Sequence, residues 1–140
     1  MTANTRDDDV GEAASLRVKD LMIPVSATVR PDDLLRDASE MIRSSNLDPS
    51  PVSDGGRLVG MLREQDIIAL AARYGLATGM RSVREALTQD AFTLRADQDV
   101  SEAVDAVERD ATARELARLP VVDGNGRLVG TVNGSHDIVG

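Results

Sequence analysis

The chain has 140 residues, no cysteine, two aromatic side chains and a formal net charge of −8. Disulfides, thiolate metal sites and cysteine nucleophiles are thereby excluded, and neither a surface for gripping phosphate backbones nor a platform for stacking bases is expected, so nucleic acid is not an expected partner. No apolar run approaches the ~18 residues of a membrane span and Met1 to Asp9 lacks the apolar core of a signal peptide, which predicts a cytoplasmic protein without a membrane partner.

Residues 1–15 are polar and acidic, with Asp7, Asp8, Asp9 and Glu12 and no apolar period, and are expected to be a disordered tail. A short helical turn is predicted at Val18-Lys19-Asp20-Leu21-Met22, stopped near Pro24, and its counterpart Val83-Arg84-Glu85-Ala86-Leu87 follows 65 residues later. The same offset aligns Thr28 with Thr93, Asp32 with Asp97, Leu35 with Val100, Ala38 with Ala103 and Ile42 with Val107. The chain is therefore an internal duplication. Ala27-Thr28-Val29 and Phe92-Thr93-Leu94 are predicted as brief strands, and Asp32 and Asp97 as the N-caps of the helices that follow. Leu35, Ala38 and Ile42 in one copy, and Val100, Ala103 and Val107 in the other, fall at i, i+3 and i+7 and so form one apolar helix face each.

Each copy then reaches a β-hairpin. Pro51-Val52-Ser53-Asp54-Gly55-Gly56-Arg57-Leu58-Val59-Gly60 returns as Pro120-Val121-Val122-Asp123-Gly124-Asn125-Gly126-Arg127-Leu128-Val129-Gly130, with one residue added in the turn. From Thr28 to Pro51 is 23 residues and from Thr93 to Pro120 is 27, an excess that suits one more turn on the second helix. Ile67, Leu70, Ala71 and Tyr74 predict an amphipathic helix after the first hairpin, closed at Gly75, with a linker over residues 76–82. After the second hairpin only a curtailed helix has room. The expected fold class is α/β (α+β): tandem βαββα repeats over residues 16–75 and 83–140, packed about a pseudo-twofold axis. A unit of roughly 60 residues buries only about 60% of its unfolded surface, so two such halves gain from packing on each other.

This running order resembles the CBS domain pair, or Bateman module, over roughly Arg17 to the C-terminus. It includes Val-Lys-Asp-Leu-Met, a strand ending Thr-Val, a helix, Pro-Val-x-Asp-Gly-Gly-Arg-Leu-Val-Gly, and an Asp-Ile pair at Asp66-Ile67 and Asp137-Ile138. The resemblance implies clefts between the repeats that take adenine nucleotides (AMP, ADP, ATP) or related adenosyl compounds. It also implies that Asp66 and Asp137 hold the ribose, a carboxylate being able to accept from two vicinal hydroxyls. In Gly60-Met61-Leu62-Arg63-Glu64-Gln65-Asp66 an arginine stands where the family has Thr or Ser, and Arg63 is a candidate phosphate ligand. The second copy has one extra residue between Gly130 and Asp137, which puts Asn133 at that position when counted from the glycine and Gly134 when counted back from the aspartate. Ser26, Ala27 and Thr28, with Ala91 and Phe92, resemble the family's base-binding edge, and the strands opening at Pro51 and Pro120 its opposite wall, made more polar in the first copy by Ser50 and Ser53.

Plainer readings stand beside these. Asp66 and Asp137 also suit helix starts, where the dipole stabilises a carboxylate by about 0.3 to 1 kcal/mol, and Arg63 suits a solvated surface. His136 has no neighbour at a metal-site spacing, so no metal is expected, and Gly124-Asn125-Gly126 lies between two strands instead of leading into a helix, unlike a dinucleotide fingerprint. No nucleophile and base pair is visible. Two functions follow: a stand-alone, non-catalytic regulatory module that requires no cofactor and binds an adenosyl ligand, or a ligand-free scaffold whose clefts have lapsed. Either way a homodimer is expected, because the apolar helix after Asp66 and the curtailed end leave aliphatic surface to cover.

Overall fold

The structure is a computed structural model that describes residues 16–25, 28–89, 91–116 and 118–133. The acidic tail, the curtailed final helix and the candidate residues Ser26, Ala27 and Asp137 lie outside the described residues. In chain order come α1 (Val18–Leu21), β1 (Ile23–Pro24), α2 (Leu35–Ser45), β2 (Ser50–Asp54), β3 (Arg57–Leu62), α3 (Glu64–Tyr74), two 3-10 turns (Gly75–Met80 and Val83–Glu85), β4 (Leu94–Arg95), α4 (Val100–Arg109), α5 (Ala111–Glu115), β5 (Arg118–Val122) and β6 (Leu128–Asn133).

The two hairpins form where their turn chemistry places them. In the first, Gly55 and Gly56 both take positive φ (60° and 89°), the conformation a two-residue hairpin turn requires. In the second, the Asp123 carboxylate accepts from the backbone N–H of Asn125 (2.8 Å) and of Arg127 (3.0 Å), and the added residue is absorbed with only Gly126 at positive φ (82°). Those two backbone bonds, that from Arg127 foremost, hold the Asp123 carboxyl below the usual carboxylate range. The hairpins also meet tip to tip. Leu128 N–H donates to the Gly56 carbonyl at 2.9 Å, Leu58 N–H to the Gly126 carbonyl at 3.3 Å and the Arg57 guanidinium to the Asn125 carbonyl at 2.8 Å.

Pairing crosses between the copies. β1, from the start of the first copy, pairs antiparallel with β6 at the end of the second, giving a four-stranded sheet in the order β1-β6-β5-β4. The first copy's β2–β3 ladder is extended in the same pattern by single bridges, Val29 parallel to Val52 and Met61 antiparallel to Thr88. Thr88 thus plays for β3 the part that Ile23 plays for β6. The two glycines opposite these edges explain the close approach: a Cβ on Gly60 would lie 2.5 Å from the Thr88 carbonyl oxygen, and one on Gly130 would lie 2.8 Å from that of Ile23.

The cores follow the pairing. Val83, Ala86 and partly Leu87 pack with Val29, Leu35, Ala38, Ile42, Val52 and Leu62 of the first copy, while Val18 packs with Leu94, Ala103, Val107, Leu119, Val121 and Val132 of the second. Each copy's opening turn is buried in the other copy's core. Burial of such side chains, roughly 1.5–3 kcal/mol for each large aliphatic group, therefore ties the halves together.

Several expectations change. The brief strand before α2 is reduced to a bridge at Val29, that before α4 is Leu94–Arg95, and β1 falls at Ile23–Pro24, where a helix stop was expected. Asp32 and Asp97 do not cap the helices, which begin after Leu34 and Asp99; Asp32 pairs with Arg84 at 3.0 Å and Asp97 with Arg95 at 3.2 Å. Local turns compete for these positions, since Asp33 accepts from Arg30 N–H (2.9 Å) and Gln98 from Arg95 N–H (3.2 Å) before either helix starts. The extra residues of the second copy do not lengthen α4, which has 10 residues against 11 in α2. The chain turns extended at Asp110 and restarts as α5, capped by the Asp110 carboxylate accepting from Ala113 N–H at 2.9 Å. Within the linker the chain winds into the 3-10 turn Gly75–Met80 against α2 and α3. No residue of α3 is fully buried: Ile67 and Leu70 reach the core, whereas Ala71 and Tyr74 stay exposed because the helix packs on one side only.

Candidate functional site

The crossed pairing creates the site. Met61 N–H donates to the Thr88 carbonyl at 3.0 Å and Thr88 N–H to the Met61 carbonyl at 2.8 Å, which brings the residues after Thr88 against the end of β3. Between them opens a cleft of about 180 Å³ lined by Met61 and Arg63 from the first copy and Thr88, Ala91, Phe92, Asp110 and Leu116 from the second. Met61, Ala91, Phe92 and Leu116 give it apolar walls, and Phe92 is the chain's only phenylalanine. Such walls with a few convergent polar groups are what small-molecule sites present.

At its charged end, Arg63 occupies the N-cap position of α3 and Asp66 its first turn, three residues on. The Arg63 guanidinium donates twice to the Asp66 carboxylate, Nε to Oδ2 at 3.0 Å and a terminal nitrogen to Oδ1 at 3.1 Å, the fork geometry that planar guanidinium and carboxylate groups share. Hydrogen bonding to Asp66, stronger than the opposing effect of burial, raises the Arg63 pKa further above its already high ordinary value, so the cation is held charged. Asp66 itself borders a shallow outer depression with Arg73, Glu85 and Leu87, whereas Arg63 lines the cleft. The helix start is served from elsewhere, because Glu64 N–H donates to Asp48 at 3.1 Å.

Of the residues singled out in the sequence, Arg63, Ala91 and Phe92 come together here, and they come from different copies. Thr28 lies outside the cleft with its hydroxyl bonded to that of Ser53, which leaves the Ser53 hydroxyl engaged internally. Pro51 is buried opposite Met61, and Pro120 opposite Thr131 at the corresponding place in the second hairpin. Asn133 closes β6 opposite Arg118, whose Nε is buried without a hydrogen-bond partner. Sequence reasoning missed Met61, Thr88, Asp110 and Leu116. The four-residue excess before Pro120 was the signal for the last two, but its length matched a helical turn and concealed the break at Asp110. Among the described residues no group of three or more metal-ligating side chains occurs, and no helix is long and apolar enough to cross a membrane.

Comparison with known proteins agrees with this architecture. The profile of the CBS domain matches twice, over residues 18–73 and 83–135. The chain is 30% identical over 115 residues to the CBS domain-containing protein YhcV of Bacillus subtilis, spanning 82% of this chain and 78% of that protein. It is 27% identical over 124 residues to inosine-5'-monophosphate dehydrogenase of Methanocaldococcus jannaschii, covering 88% of this chain but only 22% of that enzyme. Among solved structures, CBSX2, a CBS-pair protein of Arabidopsis thaliana crystallised in complex with AMP, superposes with a TM-score of 0.68 at 26% identity, over 84% of this chain and 89% of CBSX2.

Proposed function

The chain belongs to the CBS domain family, and from that membership we propose that it is a regulatory, non-catalytic module that binds an adenine nucleotide in the cleft between its repeats. The observation that carries this reading is the cleft itself, where Phe92, Ala91 and Leu116 of one copy face Met61 and Arg63 of the other. A planar base suits the apolar walls, the ribose and phosphate would lie toward Arg63 and Asp66, and a ligand touching both copies changes how firmly they hold together. The AMP complex of CBSX2 supports the ligand class. One observation favours a ligand-free scaffold instead: Arg63 and Asp66, the groups expected on phosphate and ribose, already satisfy each other.

A thermal-shift series with AMP, ADP, ATP, S-adenosylmethionine and NAD separates the two. Ligand at about 100 times its dissociation constant should stabilise the fold by roughly 2.7 kcal/mol, seen as a higher melting temperature. Phe92→Ala should abolish the shift, and Asp66→Ala should weaken it more than Asp137→Ala. No shift with any of the five compounds would leave the scaffold.

The reading includes assembly as a homodimer through α3 and the 3-10 turn after it. Ile68, Leu76 and Met80 stand 63%, 103% and 61% exposed there, beside Tyr74, whose ring is covered by the Arg81 guanidinium at 3.5 Å. Exposed aliphatic surface gathered at one place is suited to a two-fold contact. Light scattering at tens of micromolar should return twice the chain mass, and the monomer mass would overturn the dimer.

A further inference from the structure

The cleft also holds an acid for which nucleotide binding has no evident use. Asp110 enters it at the break between α4 and α5. One of its oxygens accepts from Ala113 N–H at 2.9 Å, and among the described residues no cation lies within ion-pair distance of it. The cation that lines the cleft is engaged elsewhere, since Arg63 spends both arms of its fork on Asp66. Asp48 adds a further negative charge near Arg63. The arginine's charge is therefore cancelled locally, and Asp110 leaves the space net negative on a chain whose formal charge is already −8. Asp110 lines the cleft of about 180 Å³, so its carboxylate is among the groups that a bound molecule meets. A neutral base and sugar meet no Coulomb opposition, whereas every added phosphate charge does, and partial burial of the walls limits screening by salt.

We infer that Asp110 sets the charge of the ligand: the cleft selects an adenosine-type ligand carrying at most one phosphate and discriminates against di- and triphosphates. This rests on the nucleotide reading and narrows it. At the 65-residue offset the first copy has Ser45 where the second has Asp110, so the discrimination is a property of this cleft.

The test is titration calorimetry of the full chain with adenosine, AMP and ATP, without magnesium, on the wild type and Asp110→Asn. Asparagine is as good an N-cap as aspartate, so α5 keeps its start. The wild type should bind AMP at least about tenfold more tightly than ATP. Asp110→Asn should narrow that ratio to about threefold or less while moving adenosine affinity by less than about twofold, because only the charge has changed. If Asp110→Asn fails to fold, Asp110→Ser, also a cap without charge, carries the same expectation. ATP bound as tightly as AMP by the wild type, or a ratio unchanged in the folded variant, overturns the role of Asp110 and leaves the nucleotide reading standing. Absence of binding by all three compounds to both proteins overturns both.

Discussion

Leu62→Ala is expected to lower the free energy of unfolding by about 2–5 kcal/mol, the range for truncating a fully buried leucine whose surroundings cannot collapse into the gap. Leu62 is fully buried in the core shared by Leu35, Ile42, Val52 and Val83, two elements of one copy and the opening turn of the other. It lies between Met61 and Arg63, so the gap opens directly beneath the strand that carries the cleft. Folded domains are stable by only about 5–15 kcal/mol, which makes this a large fraction of the total. Urea unfolding followed by circular dichroism measures it. Glu40→Ala is the control, because that side chain is exposed on α2, away from the proposed dimer contact, and its loss should change stability by no more than about 0.5 kcal/mol. Equal effects at the two positions would mean that the described core is wrong.

Gly60→Ala is expected to destabilise by about 1–3 kcal/mol for a different reason, which is crowding rather than a void. The new methyl would sit 2.5 Å from the Thr88 carbonyl oxygen and 2.6 Å from a Leu87 methyl. The leucine can rotate, but the carbonyl cannot, because Thr88 is held to Met61 by the paired backbone bonds. The strain is relieved only by moving the second copy's edge away from β3, which widens the cleft at Thr88. Amide exchange at Met61 and Thr88 should therefore accelerate more than at core positions in β5. Gly55→Ala makes a useful contrast: nothing lies within 4 Å of its added Cβ, so any loss there comes from the positive φ of 60° alone and should leave Met61 and Thr88 protected.

These two positions separate what was legible in the residues from what was not. The hairpins were legible because Asp-Gly turns and glycines at positive φ are demands made within a few residues of chain. The buried faces of α2 and α4 were legible because helical spacing alone brings Leu35, Ala38 and Ile42, or Ala103 and Val107, to one side. Caps were less legible: Asp32 and Asp97 had the right chemistry, but side chains next to them closed local turns first. In the site, Arg63, Ala91 and Phe92 were identified, yet Asp110 and Leu116 were hidden in a length difference that fitted a helical turn equally well.

By itself the sequence determined that an α/β unit occurs twice, with two hairpins, two amphipathic helices and an aliphatic interior, because propensity, spacing and turn chemistry act between near neighbours. Only the tertiary structure decided that Val18 completes the second core and Val83 the first, that Ile23 and Thr88 close the opposite copy's sheet, and that Arg63 turns its fork onto Asp66 beside a cleft walled by Phe92 and Asp110. The two copies carry almost the same pattern, so local energies are nearly equal whether an edge serves its own half or the other. The choice is made by contacts between residues far apart in the chain, above all the bare glycines that let one copy's backbone lie against the other's.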